Sequence, residues 1–254
     1  WIEVSSDLVD IVELACELSA KTDGAFDVTV GPLVDLWGFG PSRSRDSVPT
    51  DKEISDALKR CGVQHLATRS SPPAIKKAIP NLRVDLSAIA KGHGVDRVAS
   101  ELERLGIQSY FIEIGGEIRA AGAKGPDSPW RAGVEKPTEE GRELLSAVDL
   151  RDEALATSGN YRNFYEVDGQ KYWHTIDPRT GRPAHAVVLQ ASITAKTCAE
   201  ADAIATAMMV LGKEGLQLAN TNNWDAMLVF ASSDSEVHIQ ATGSLSDDGD
   251  AVAQ

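Results

Sequence analysis

Leu155–Pro183 reads LATSGNYRNFYEVDGQKYWHTIDPRTGRP, and the residues in it that could do chemistry are His174, Asp177 and Arg179. Histidine gains and loses a proton near neutral pH, so His174 beside an acid is a candidate for proton transfer. In isolation His174, flanked by Trp173 and Ile176, also reads as a half-buried strand histidine. The turn Asp177-Pro178-Arg179-Thr180-Gly181 that follows it favours a functional site. Thr157-Ser158-Gly159 raises the idea of a serine nucleophile, but no GxSxG elbow surrounds Ser158, which argues against a Ser-His-Asp hydrolase.

Two further groups carry chemistry. Asp202 and Thr206 stand four residues apart, which places both on one face of a helix. A carboxylate and a hydroxyl one turn apart are oxygen ligands suited to a hard cation such as Mg²⁺. The plainer alternative has Asp202 balancing the helix dipole and Thr206 bonding to a backbone carbonyl. Asp85 ends an expected strand, and Ser87-Ala88-Ile89-Ala90-Lys91-Gly92 leads from it into a helix. Small residues there let backbone groups approach a ligand closely, and a helix N-terminus favours anions. Lys91 adds a mobile positive charge; a strand–helix turn with a surface lysine is the competing reading. Neither GxxxxGK[ST] nor GxGxxG is present.

These groups need elements to hold them. Ser5-Ser6-Asp7 precede the stripe Leu8, Ile11, Val12, Ala15 and Leu18, which predicts a helix ending at Gly24. Residues 24–41, GAFDVTVGPLVDLWGFGP, have no clean period and read as a loop-rich wall. Thr50-Asp51-Lys52-Glu53 is a capping box opening a short helix that ends near Gly62. A strand is expected at Arg83–Leu86, then a helix carrying Val95, Val98, Ala99, Leu102 and Leu105 and closed by Gly106. Strands follow at Tyr110–Ile114 and around 117–121, 130–135 and 144–150. Ser158-Gly159 is placed before a hairpin whose turn is Asp168-Gly169, the strongest local turn signal in the chain. Thr197 opens a helix burying Ala201, Ile204, Ala205, Met208 and Leu211, and strands near 225–231 and 236–240 complete the core. No repeat or linker is evident, so one α+β unit spanning 1–242 is expected, with a disordered tail from Gly243 to Gln254.

At 254 residues the chain can bury a full core. Its 25 Lys and Arg against 38 Asp and Glu give a net charge of −13, which argues against non-specific nucleic-acid binding. An anionic ligand would need local compensation by a metal, helix N-termini or selected Lys and Arg. Cys16, Cys61 and Cys198 show no CxxC spacing and read as small buried hydrophobes. No run of eighteen apolar residues suggests a membrane span, and the start at Trp1 reads as a mature or trimmed form.

Together the segments GAFDVTVGPLVDLWGFGP, VDLSAIAKGHGVDRVA, IEIGGEIRAAG, ATSGNYRNFYEVDGQKYWHTIDPRTGRP and AEADAIATAMMVLG are similar, in order and spacing, to the FAD:protein FMN transferases, the ApbE-type flavin transferases. The resemblance runs from about Trp1 to Gly215. It implies an α+β fold of two closely packed sheet-and-helix lobes with FAD in the cleft between them. It implies cleavage of the FAD pyrophosphate with Mg²⁺ and transfer of FMN, through a phosphoester, to a threonine or serine of an acceptor. Acceptors in the family include subunits of the sodium-pumping quinone reductase and related membrane redox complexes. A periplasmic, lipid-anchored precursor is also implied, its anchor and an early flavin-contacting segment expected outside this sequence.

By motif, the resemblance puts Ala25, Phe26 and Asp27 along the flavin, Asp85 in contact with FAD and Lys91 nearby. It gives the metal the Ala88 carbonyl, Asp202 and Thr206, and sets His174 before the DP turn with Ile176 against the nucleotide and Asp177 beside it. Some members carry an acid where this chain has Lys91, and a second acid where it has Ala205. On this reading His174 takes the proton of the acceptor hydroxyl. An FAD pyrophosphatase, with water as acceptor, and a non-catalytic flavin carrier are the alternatives.

Overall fold

A computed structural model describes residues 1–40, 47–126, 128–138, 143–160, 163–184, 187–231 and 237–246. In chain order the elements begin β1 (Ile2–Glu3), α1 (Ser6–Lys21), α2 (Gly31–Leu36), α3 (Asp51–Leu58), β2 (Leu66–Ser70) and β3 (Pro73–Lys77). They continue with α4 (Ala90–Arg104), β4 (Tyr110–Ile114), β5 (Glu117–Ala121), β6 (Trp130–Glu135), β7 (Leu144–Leu150) and β8 (Glu153–Gly159). The small strands β9 (Phe164–Val167), β10 (Gln170–Trp173), β11 (Ile176–Asp177) and β12 (Arg182–Pro183) come next. The last are β13 (Val188–Ala195), α5 (Cys198–Leu211), α6 (Lys213–Asn222), β14 (Asp225–Ala231) and β15 (Val237–Ala241). Among the described residues no helix is long and apolar enough to cross a membrane.

The chain divides into two compact units, Trp1–Ala88 with Asn163–Ala184, and Ile89–Arg162 with His185–Gln254. In the first, Ser5 caps α1 by accepting the N–H of Leu8, and the expected capping box is present, Thr50 Oγ1 accepting from Glu53 N and Glu53 Oε2 from Thr50 N. The supposed loop at 24–41 contains α2, which starts at Gly31-Pro32 because proline is preorganised for a first helical turn. Leu33 and Trp37 from this region pack with Ile54, Ala57 and Ile176. A three-stranded sheet, β1-β3-β2, and the hairpins β9-β10 and β11-β12 complete the unit. Asp168 and Gly169 both have positive φ, 51° and 77°, the conformation a two-residue hairpin turn demands.

Arg83–Leu86 does not form the expected strand. Its backbone is tied instead by one bond from Asp85 N to Val28 O, and Arg83 reaches Gly31 O and Asp35 through its guanidinium.

The second unit is built on a six-stranded antiparallel sheet in the order β15-β14-β13-β8-β5-β4. Ser158 and Gly159 are the last residues of β8, paired with Ala191 and Gln190, and the β9-β10 hairpin follows them. Helix α4 packs Val95 and Ala99 on Tyr110, Ile112 and Ala154 at one face. Ile118, Leu155 and Met227 face the other way, onto the β6-β7 pair. Leu245 joins that second cluster, so the tail is ordered through Ser246; its remainder, 247–254, lies outside the described residues. Cys61 and Cys198 are buried and Cys16 half-buried. Burial pushes the Cys61 thiol up to about 11 and Cys198 higher still, as expected of packing residues and not of nucleophiles.

Candidate functional site

In the second unit, α5 is apolar on nearly every side and buried, so Asp202 and Thr206, its polar side chains beyond Glu200 in the first turn, are exceptional. Asp202 is 3% exposed. Its Oδ2 accepts the backbone N–H of Gly92 at 3.1 Å, in the first turn of α4. Its Oδ1 faces Lys91, whose Nζ is 3.6 Å away. One turn on, Thr206 Oγ1 lies 3.4 Å from Ser158 Oγ on β8.

Gly92 makes this approach possible. A Cβ there would lie 2.2 Å from Cys198 O, so only glycine lets the two helix starts meet. Asp96, one turn further along α4, accepts the N–H groups of Cys198 and Ala199, each at 2.9 Å, and pairs with Arg119 at 2.7 Å. It therefore caps α5 from another helix and fixes the axial position of Asp202.

Glu117, the first residue of β5, was not singled out from the sequence. It is 2% exposed and its Oε1 accepts a hydrogen bond from Lys91 Nζ, while its Oε2 is buried with no hydrogen-bond partner. Burial pushes both the Glu117 and Asp202 carboxyls above the ordinary range, and Lys91 pulls each back. An acid at the start of a strand, just after Gly115-Gly116, reads as a solvated turn residue; only tertiary packing reveals its burial.

This oxygen set suits a hard divalent cation. Asp202 offers a desolvated carboxylate and Thr206 a hydroxyl, while Glu117 is tied to Lys91 beside them. Among the described residues no group of three or more His, Cys, Asp or Glu side chains is arranged to hold a metal ion, so a cation here would need further oxygens from backbone, phosphate or water.

The remaining candidates lie in the first unit. Ala25 and Phe26 are buried, and Phe26 N donates to Thr22 Oγ1. Asp27 uses its carboxylate inside the protein, accepting from Thr29 N and Thr29 Oγ1 at 2.6 Å each and from Val63 N at 3.2 Å. Ile176 is buried in the core with Leu33, Trp37 and Ile54. Asp85 is half-buried and accepts from Ser87 N and Ser87 Oγ. Ala88, also half-buried, is the last residue of this unit's first segment.

Asp177 is held in a fork by Arg179, Nε on Oδ1 at 2.9 Å and Nη2 on Oδ2 at 3.0 Å, and Oδ1 also accepts Arg179 N. Both oxygens being taken, Asp177 shapes the turn, and Gly181 O in that turn accepts Trp37 Nε1 at 2.8 Å. A Cβ at Gly24 would meet Arg179 Cγ at 3.6 Å, which sets the turn against the Ala25–Asp27 segment. His174 is half-buried beside Phe39, their ring centroids 6.4 Å apart edge to face. Its Nδ1 lies 3.3 Å from Asn163 O, an acceptor only, so Nδ1 carries the hydrogen and Nε2 keeps a lone pair. Burial lowers the His174 pKa, and the Asn163 carbonyl opposes that shift.

Comparison with known proteins adds to this geometry. The model of the ApbE family matches residues 1–228. An FAD:protein FMN transferase of Vibrio cholerae is 44% identical over 232 residues, 91% of this chain and 69% of that protein. Another, of Escherichia coli, is 41% identical over 83% of this chain and 61% of its own length. A histidine-to-glycine variant of the flavin transferase ApbE from Vibrio cholerae superimposes with a TM-score of 0.84 at 42% identity, covering 96% of this chain and 78% of that one. This chain thus spans roughly two thirds of the length of the two named transferases.

Proposed function

The chain belongs to the ApbE family, and we propose that it transfers FMN from FAD to an acceptor protein, the activity named for its relatives. The observation that carries the chemistry is the pair Asp202 and Thr206 on a largely apolar, buried helix, with Asp202 locked to Gly92. A carboxylate so desolvated is retained where it has a cation to hold. We propose Mg²⁺ at Asp202 and Thr206, with the Ala88 carbonyl as a third protein ligand. Bound there, the ion would neutralise charge on the pyrophosphate of FAD.

In this reading the acceptor threonine or serine oxygen bonds to the FMN phosphorus while the bond to the AMP oxygen breaks. Nε2 of His174 takes the hydroxyl proton, its tautomer set by Asn163. Asp177 and Arg179 hold the turn after His174 and keep it against the Ala25–Asp27 segment. Asp85 and Lys91 are proposed to contact the dinucleotide. The acceptor class proposed, subunits of membrane redox complexes, and a periplasmic, lipid-anchored precursor rest on the family resemblance.

Incubating the chain with FAD, MgCl₂ and an acceptor flavoprotein subunit tests the proposal. A flavin-fluorescent acceptor band on a denaturing gel is the expected result. Free FMN and AMP with an unlabelled acceptor would make the protein a pyrophosphatase, and unchanged FAD would make it a carrier.

A further inference from the structure

Lys91 is a charged side chain shared by two buried carboxylates. It bonds directly to Glu117 and stands 3.6 Å from Asp202, and its own side chain is 49% exposed. Two carboxylates buried this deeply need a counter-ion, and among the described residues Lys91 is the one cation with ion pairs to both. Yet its direct hydrogen bond goes to Glu117, whereas its ion pair with Asp202 is the looser one at 3.6 Å.

We propose that Glu117 is a positioning residue that holds Lys91 as the internal counter-ion of Asp202, and that a divalent cation arriving at Asp202 pushes the ammonium fully onto Glu117. The inference rests on the metal reading given above. It follows from three features. The half-exposed stem of Lys91 is flexible enough to move, since four methylenes carry its charge. Glu117 Oε2 is buried without a partner and can accept an ammonium proton that has left Asp202. Gly115, at φ +65°, lies directly beside the pair: a Cβ there would be in ordinary contact with Glu117 Oε2 at 3.6 Å and Lys91 Cδ at 3.8 Å.

Such a device makes opposite predictions for its two partners. Removing Lys91 takes a competing positive charge away from Asp202, so Lys91→Met binds the cation about tenfold more tightly or better. Removing the charge of Glu117 leaves Lys91 with Asp202 as its acid, so Glu117→Gln binds the cation about tenfold more weakly. Because Glu117 acts through Lys91, the Glu117→Gln change costs less than about threefold in a Lys91→Met background, the non-additivity expected of coupled neighbours.

The test is titration of the purified chain with Mn²⁺, followed by its electron paramagnetic resonance signal, without flavin, for the wild type, both single variants, the double variant and Asp202→Asn. Circular dichroism monitors folding, and Lys91→Gln carries the same test if methionine is not tolerated. Opposite shifts in the single variants, with the Glu117 effect lost in the double, support the proposal. Shifts in one direction, no shifts, or an equal Glu117 effect in both backgrounds overturn it while Asp202-dependent binding stands. Wild-type binding that Asp202→Asn leaves intact, or none at all, brings down the metal reading and the proposal with it.

Discussion

The backbone N–H of Gly92 donates to Asp202 Oδ2 at 3.1 Å, so the start of one helix holds the carboxylate of another 110 residues away. Gly92→Ala should gain helix propensity of about 1 kcal/mol, yet its Cβ would stand 2.2 Å from the Cys198 carbonyl oxygen. Backbone cannot rotate aside as a side chain can, so the clash wins, at a net cost of about 1–3 kcal/mol. Thermal unfolding should show a lower midpoint and titration a weakened cation affinity. An unchanged midpoint would mean the two helix starts are not locked as described.

Asp96 accepts two N–H groups at the start of α5 and pairs with Arg119. Asp96→Ala leaves both donors and a half-buried guanidinium without it, which should destabilise the protein by about 2 kcal/mol or more in urea unfolding. Asp96→Asn, retaining one acceptor oxygen, should lose less. Equal losses would reduce Asp96 to a packing residue.

His174 is expected to act as a neutral base. Its pKa is lowered by burial, so the imidazole stays unprotonated below the ordinary value of about 6.5. The transfer rate should therefore hold level as pH falls past that value and decline only at lower pH, provided the acceptor is unaffected. The sign for stability is the same. The unfolded chain takes up the proton first, so the contribution is complete above the unfolded pKa and is lost as pH falls through the folded one. His174→Ala should keep FAD binding and lose transfer by about 10²–10⁴-fold. Turnover equal to wild type would remove it from the mechanism.

Much of this was legible in the sequence because local signals agreed with the fold. The Thr50–Glu53 box, the Asp168-Gly169 turn and the stripe of α4 each specify their element through nearest neighbours. Strand β13 is legible by its period, yet it was not assigned. It lies between β8 and β14 and alternates Leu189, Ala191, Ile193 and Ala195 with Gln190, Ser192 and Thr194, but the polar residues are buried too, so the alternation marks no solvated face. Arg83–Leu86 misled in the opposite way, its apolar alternation serving a loop anchored by Asp85 and Arg83. At the candidate site Asp202 and Thr206 stood out by helical spacing, whereas Glu117 and Asp96 act through partners 26 and 102 residues distant. Long-range pairs of that kind leave no local pattern.

The central claim is that Asp202 holds a divalent cation for flavin transfer. Its most direct test compares Asp202→Asn with the wild type in labelling an acceptor protein from FAD and MgCl₂, read as in-gel flavin fluorescence. The amide keeps the shape and an oxygen for Gly92 N–H but loses the charge, so the variant should fold as the wild type does and label at least about 100-fold more slowly. Labelling by the folded variant at the wild-type rate would contradict the account.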